Sequence, residues 1–147
     1  MFKHILVPTD GSALSTDTVS KAVEFAREAG ARITFFYAKP EYPVSFYGEG
    51  ALIDPTTPEK FAELADEQAQ ALLSAAEFQA KSCEVLSARM TVTSEVPYEA
   101  IIAAAAQAGC DLIFMASHGR RGISGLLLGS ETQKVLTHST IPVLVFR

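Results

Sequence analysis

Short apolar runs separated by amphipathic stretches set the rhythm of this chain. The first run, His4-Ile5-Leu6-Val7-Pro8, is apolar throughout and stops at Thr9-Asp10-Gly11-Ser12. Unbroken apolarity over so few residues fits a central parallel strand covered on both faces, and the flanking Pro8 and Gly11 favour a strand over a piece of buried helix. From Ala13 to Ala29 the interval changes, with Val19, Ala22, Val23 and Ala26 at helical spacing and Gly30 as the stop. Ile33-Thr34-Phe35-Phe36-Tyr37-Ala38, rich in aromatic and β-branched side chains, predicts the second strand.

Residues 39–58 hold four of the seven prolines together with Tyr42, Phe46 and Tyr47, the composition of a long surface loop. Phe61, Leu64, Ala65, Ala69, Leu72 and Ala76 then mark the apolar stripe of a helix over residues 59–80. In the next run Leu86, Ala88, Met90 and Val92 alternate with Ser87, Arg89, Thr91 and Thr93. Strict alternation leaves one face wet and places this third strand at a sheet edge. Pro97 opens an alanine-rich helix closed by Gly109, Leu112 to Met115 forms a fourth strand, Ser130 begins a helix that runs to His138, and residues 141–146 form a last strand.

This β-α-β-α-β-α-β-α-β order predicts an α/β fold: one domain over residues 1–147, an open five-stranded parallel sheet with helices on both faces. In such sheets ligands bind beyond the carboxyl ends of the strands, where the strand order reverses. With the first and fourth strands as neighbours, Pro8-Thr9-Asp10 and Ala116 to Gly119 line one crevice.

Composition narrows the classes of partner. A net charge of -5 argues against a general nucleic-acid or anionic-membrane surface, which needs clustered Lys and Arg. The apolar runs fall short of the roughly 18 residues of a membrane span, and the start is too short for a secretory signal, so a cytoplasmic protein is expected. Cys83 and Cys110, without C-x-x-C spacing, read as reduced structural thiols.

The densest chemistry lies after the fourth strand. Four of the nine glycines fall between Gly119 and Gly129, and Arg120 and Arg121 add two positive charges there. A strand, a glycine-rich turn and a helix start make an anion cradle, because glycines let successive N-H groups aim inward at a phosphate. Neither G-x-x-x-x-G-K-[ST] nor G-x-G-x-x-G fits these glycines. Asp10 has a second reading as a cap for the first helix, and Ser130 with Gln133 has one as a capping box. His118 is a hydrogen-bond donor candidate without the companions of a metal site.

The terminal strand poses a separate question. Val143-Leu144-Val145-Phe146 is apolar on both faces, yet a last strand at a sheet edge exposes unpaired backbone groups. Pairing with the same strand of a second copy covers both, so a homodimer through this strand is expected.

Taken together, Ile5-Leu6-Val7-Pro8-Thr9-Asp10-Gly11-Ser12, Ser117-His118-Gly119-Arg120-Arg121-Gly122 with Leu127-Leu128-Gly129-Ser130, and Pro142-Val143-Leu144-Val145 resemble the universal stress proteins. The resemblance covers essentially the whole chain and implies a Rossmann-like fold of the adenine nucleotide alpha hydrolase type. The nucleotide-binding branch of that family carries G-x2-G-x9-G-[ST]. Here Gly119, Gly129 and Ser130 match it, while Ala116 stands in the first glycine's place, where the family's chain lies against ribose.

The resemblance implies ATP, or AMP or ADP, as ligand, with Mg accompanying the phosphates. It implies that Asp10 fixes the adenosine end with Pro8 and Thr9 beside it, and that Ala38 and Met115 lie near the adenine. Gly119, Gly129, Ser130 and the backbone of Glu131 match the family's phosphate contacts. His118, Arg120, Arg121 and Gly122 complete the candidate set. The expected role is a regulatory, homodimeric nucleotide-binding module of the stress response; the alternative is a dimeric interaction protein of the same fold that binds no nucleotide. An enzyme is not expected, since no base is placed to activate water and no Walker lysine exists.

Overall fold

A computed structural model describes residues 1–43, 56–119 and 127–147. Nine elements alternate along the described chain: β1 (His4–Pro8), α1 (Ala13–Ala29), β2 (Arg32–Lys39), α2 (Pro58–Ser82), β3 (Ser87–Thr93), α3 (Pro97–Ala108), β4 (Leu112–Ala116), α4 (Ser130–His138) and β5 (Val143–Phe146). The strands form one parallel sheet in the order β3-β2-β1-β4-β5. The chain therefore builds outward from β1 to β3, returns to the middle, and continues from β4 on the other side. The order reverses between β1 and β4, as the expected crevice requires.

Alternation of side chains across the sheet makes two cores. Ile5, Val7, Ile33, Phe35 and Phe114 point to one face, where Val19, Val23 and Ala26 of α1 and Ala69, Leu73 and Ala76 of α2 cover them. Leu6, Phe36, Ile113 and Met115 point to the other, under Ile101, Ala104 and Ala105 of α3 and Val135 of α4. Continuous apolarity in β1, β2 and β4 follows from burial on both sides.

The helix ends are explained by local chemistry. Ser12 caps α1 by accepting from the Ser15 amide at 3.2 Å, and Gly30 closes it in the left-handed region at φ 64, which a β-carbon disfavours. Asp10 is not that cap: its Oδ1 accepts from the Ser12 amide at 2.9 Å, one turn earlier, and holds the approach to the helix. In α2 Thr57 is the cap and Pro58 occupies the first turn.

Two details of the packing differ from the expected stripes. On α2 the buried residues are Ala65, Ala69, Leu73, Ala76 and Ala80, whereas Leu64 is 47% exposed and Leu72 only partly covered. Small residues on the inner face let the helix lie close to the sheet, and that turns the larger leucines outward or sideways. β3 is an edge strand, but its polar face is the one a helix covers. Arg89 reaches Gln70, Ser74 and Glu77 of α2. On the other face only Met90 joins a core, and Leu86 is 78% exposed, because α3 lies over β2 and β1.

Among the described residues no helix is long and apolar enough to cross a membrane. Cys83 and Cys110 are free thiols, and burial pushes the Cys110 pKa up to about 11, with the Asp111 charge adding to it. Such a thiol is not a nucleophile near neutral pH.

Candidate functional site

β1 and β4 end side by side, and their following turns diverge around a cleft of about 730 Å³. The floor is laid where three strands end: Pro8 of β1 with Thr9 just beyond it, Ala38 in β2, and Met115 with Ala116 in β4. One wall is the first turn of α4, and the opposite side carries Asp10. His118 and Gly119 stand between them.

The β1 side is held by its own hydroxyls. The Thr9 amide bonds the Phe36 carbonyl at 2.9 Å, which ties the turn to β2. Ser15, buried in α1, meets the Thr9 hydroxyl at 2.7 Å and accepts from the Asp10 amide at 3.1 Å. Gly11, at φ 77, makes the bend that brings α1 back over the sheet.

The β4 side is tied as firmly. The Gly129 amide bonds the Ser117 carbonyl at 2.7 Å, and the Thr132 hydroxyl donates to the Ala116 carbonyl at 3.0 Å. The start of α4 is thus pinned to the end of β4. That start has no side-chain cap: Gly129 is the cap residue, Ser130 is exposed, and Gln133 donates to the Leu128 carbonyl instead of closing a capping box. The Ser130–Gln133 box expected from spacing does not form, because Gly129 takes the cap position one residue early.

An uncapped helix start presents backbone N-H groups and the positive end of the helix dipole to whatever lies in front of it. Here that is the cleft. Glu131 keeps its side chain out of this role by turning to α3, where its Oε2 accepts from the Tyr98 amide at 2.9 Å and stands in for the side-chain cap that Val96 does not supply. Its Oε1 meets Lys134 Nζ at 3.4 Å.

The glycines gain a more specific reason than ligand approach. A β-carbon on Gly119 would run into the Asp10 carboxylate, and one on Gly129 would lie 3.0 Å from the His118 α-carbon. Both glycines are therefore required first by the protein's own packing. Their absent side chains let the Asp10 carboxylate lie against the Gly119 backbone and the His118 backbone lie against that of Gly129.

Of the residues expected from sequence, Pro8, Thr9, Asp10, Ala38, Met115, Ala116, His118, Gly119, Gly129, Ser130 and Glu131 all line this one cleft. Arg120, Arg121 and Gly122 lie outside the described residues, as do Phe46 and Tyr47 of the expected loop. Sequence reasoning missed Ser15, Phe36 and Ile101, and also Glu41, Ser94 and Glu95. Ser15 sits within the helix pattern and carries no periodic signal. Glu95 stands two residues before Pro97, and the topology that folds the β3–α3 turn over the cleft was the only cue available.

The comparisons with known proteins agree with this fold. The profile of the Universal stress protein family matches residues 1–147. The chain is 30% identical over 148 residues to Universal stress protein MJ0531 of Methanocaldococcus jannaschii, covering all of this chain and 83% of that protein. It superimposes on the solved structure of MJ0577 from the same organism with a TM-score of 0.77, 26% identity, and coverage of 99% of this chain and 95% of that one. A universal stress protein in complex with cAMP shares the fold at a TM-score of 0.71 and 24% identity, over 99% of this chain and 97% of that one. The chain belongs to the universal stress protein family.

Proposed function

We propose that the cleft binds an adenine nucleotide, ATP or a related one, and that the chain acts as a regulatory homodimeric module of the stress response in the cytoplasm. The observation that carries this reading is the uncapped start of α4, which faces the same cleft as the Asp10 carboxylate with the Gly119 backbone between them. Amides at one end suit phosphate oxygens, and a carboxylate at the other suits ribose hydroxyls. The shared fold with a cAMP complex supports the same ligand class.

In this reading Asp10 accepts from the ribose while Pro8 and Thr9 shape the wall behind it. Ala38 and Met115 offer apolar surface to the base. Gly119 and the amides of Gly129, Ser130 and Glu131 hold the phosphates, with His118, Arg120, Arg121 and Gly122 contributing from the intervening segment. A divalent ion such as Mg would arrive with the nucleotide, held by phosphate oxygens and water, since the described residues include no cluster of three metal-ligating side chains. Occupancy alters a surface around the cleft that a partner reads.

The dimer rests on β5. It is a sheet edge, its four residues are each only partly buried, and Leu144 and Phe146 serve one core while Val143 serves the other. A two-fold partner strand would complete both faces. Truncation before Pro142 is expected to give monomer or insoluble protein, and an unchanged dimer mass by light scattering would place the contact elsewhere.

Calorimetric titration with ATP and AMP tests the nucleotide reading. Binding at sub-millimolar dissociation constants, lost in Gly119→Val, is the expected result. If neither nucleotide binds the natural protein, the alternative of a dimeric interaction protein stands. Ala116 favours that alternative, because its methyl replaces the glycine of the family motif. Recovery of binding in Ala116→Gly would trace the failure to that methyl.

A further inference from the structure

A second cavity, of about 490 Å³, opens at the opposite end of the sheet, where α1 and α2 both terminate beside the starts of β1 and β2. Part of its lining is apolar: Ala26, Ala31 and Val85 are buried, and Leu86 is 78% exposed. Three exposed cations line it as well, Lys3 before β1, Arg27 in the last turn of α1 and Arg32 at the start of β2. Among the described residues Glu84 is the one acidic side chain of the lining.

Other cations of the chain find partners on it. Lys21, Lys39, Lys60, Arg89 and Lys134 each pair with a carboxylate, whereas among the described residues Lys3, Arg27 and Arg32 join no ion pair. A chain of net charge -5 thus sets three cations against Glu84 around one cavity. That local excess of positive charge complements an anionic partner.

The backbone decides which anion fits. The Gly30 and Ala31 amides donate to the Arg27 and Ala26 carbonyls, the Arg32 amide to Lys3, and those of Cys83, Glu84 and Val85 to carbonyls in the last turn of α2. These amides are spent, and two helix C-termini turn their negative ends this way. A compact phosphate therefore meets no amide cradle here, in contrast to the start of α4. Among the described residues no aromatic side chain lines the cavity, so a nucleic-acid base has no stacking platform. Carboxylates spaced along a polypeptide suit three cations mounted on separate elements. Leu86 adds an apolar contact, and β3, which begins at the next residue, is a sheet edge along which an extended segment can lie.

We infer that this cavity is a docking surface for an acidic segment of a partner protein, whose carboxylates meet Lys3, Arg27 and Arg32 while an apolar side chain covers Leu86. The inference stands whether or not the cleft at the other end takes a nucleotide.

Fluorescence anisotropy of the full chain with a short labelled peptide in which Glu alternates with Leu and Ser tests this, against the same peptide carrying Gln for every Glu. The Glu peptide is expected to bind with a dissociation constant below about 1 mM. Its affinity should fall about fivefold between low and physiological salt. The Gln peptide should bind at least about tenfold more weakly. The double variant Arg27→Gln with Arg32→Gln should lose about tenfold in affinity for the Glu peptide at an unchanged unfolding midpoint, since both side chains are exposed. Leu86→Ser should weaken binding a few-fold and keep the salt dependence. Absence of binding by the Glu peptide, equal binding of the two peptides, or an affinity unchanged in the double variant would each overturn the docking surface. Displacement of the Glu peptide by inorganic pyrophosphate at matched ionic strength, or tighter binding of a single-stranded oligonucleotide, would overturn it in favour of a small anion or a nucleic acid. A dimer mass altered by the double variant would overturn it in favour of a second copy of this chain.

Discussion

The two ends of the same sheet are built on opposite terms. At the amino ends of the strands, side chains close the structure on itself. Asp111 accepts from the amides of Lys3 at 2.9 Å and His4 at 3.0 Å, stitching the start of β1 to the start of β4. His4, 8% exposed, meets the Thr34 hydroxyl at 2.7 Å. At the carboxyl ends, two helices begin without a side-chain cap of their own, glycines make room for a carboxylate, and a cavity opens between the turns. One end answers its buried polar groups from within except for the His4 Nδ1, which has no hydrogen-bond partner among the described residues, and the other leaves them for a ligand. Stability and binding should therefore separate along the strand direction.

Thr34→Val is the strongest test from the closed end. It keeps the shape of the side chain but strands the buried His4 ring, at a cost of about 2 kcal/mol. Thermal unfolding should shift down by about 5 °C with nucleotide affinity unchanged. A matching loss of affinity would mean that the two ends are not independent. From the open end, Gly119→Val should reverse the pattern. Its side chain displaces Asp10, so affinity for AMP falls by more than about tenfold, or about 1.4 kcal/mol, while the unfolding midpoint moves less than in Thr34→Val.

Acid provides a third probe, and it acts on the closed end. Burial, followed by the Arg32 guanidinium, lowers the His4 pKa below its ordinary 6.5 against the pull of Asp111. The unfolded chain then takes up a proton before the folded one does, so this stability is complete above about pH 6.5 and declines as the pH falls toward the folded value. Burial works to raise the Asp111 pKa, but the amides of His4 and Lys3 outweigh it and hold the group below its ordinary 3.8. Its contribution persists above that value and is lost further down. The urea midpoint should fall between about pH 7.5 and about pH 5, and His4→Gln should flatten the slope. A flat profile in the natural protein would remove His4 from the account.

The smallest effect is expected for Ser15→Ala, which frees Thr9 and Asp10 from α1. A loss of about 1 kcal/mol in stability and a few-fold weaker binding are expected, measured by unfolding and titration of the same variant. A loss confined to stability would show that the turn after β1 keeps its shape without the hydroxyl.

Much of this arrangement was legible in the sequence because the signals were periodic or local. The strands β1, β2 and β4 announced themselves by unbroken apolarity, and Gly30 and Gly109 marked helix ends that the structure closes in the left-handed region at φ 64 and φ 70. The cleft was legible through topology, which converts two distant turns into neighbours. The edge position of β3 was legible, but alternation shows that two faces differ and not which one a helix covers. Arg89 settles it by reaching α2 through its planar head group. The side-chain work of Ser15 and Glu131 was illegible for a related reason: both bond to elements far away in the chain or to turns without a repeating pattern.

The β4 terminus carries a last implication for how such chains vary over evolution. The Ser117 amide bonds the Phe146 carbonyl at 2.8 Å, its carbonyl receives Gly129, and the neighbouring Ala116 carbonyl receives Thr132. Two adjacent residues thus set the register of the outermost strand and the position of the following helix at once. An inserted or deleted residue between Met115 and Ser117 would throw these two tethers out of step. Variation in length among descendants of this chain should accumulate after Gly119 and before Leu128, leaving the two-residue junction ungapped.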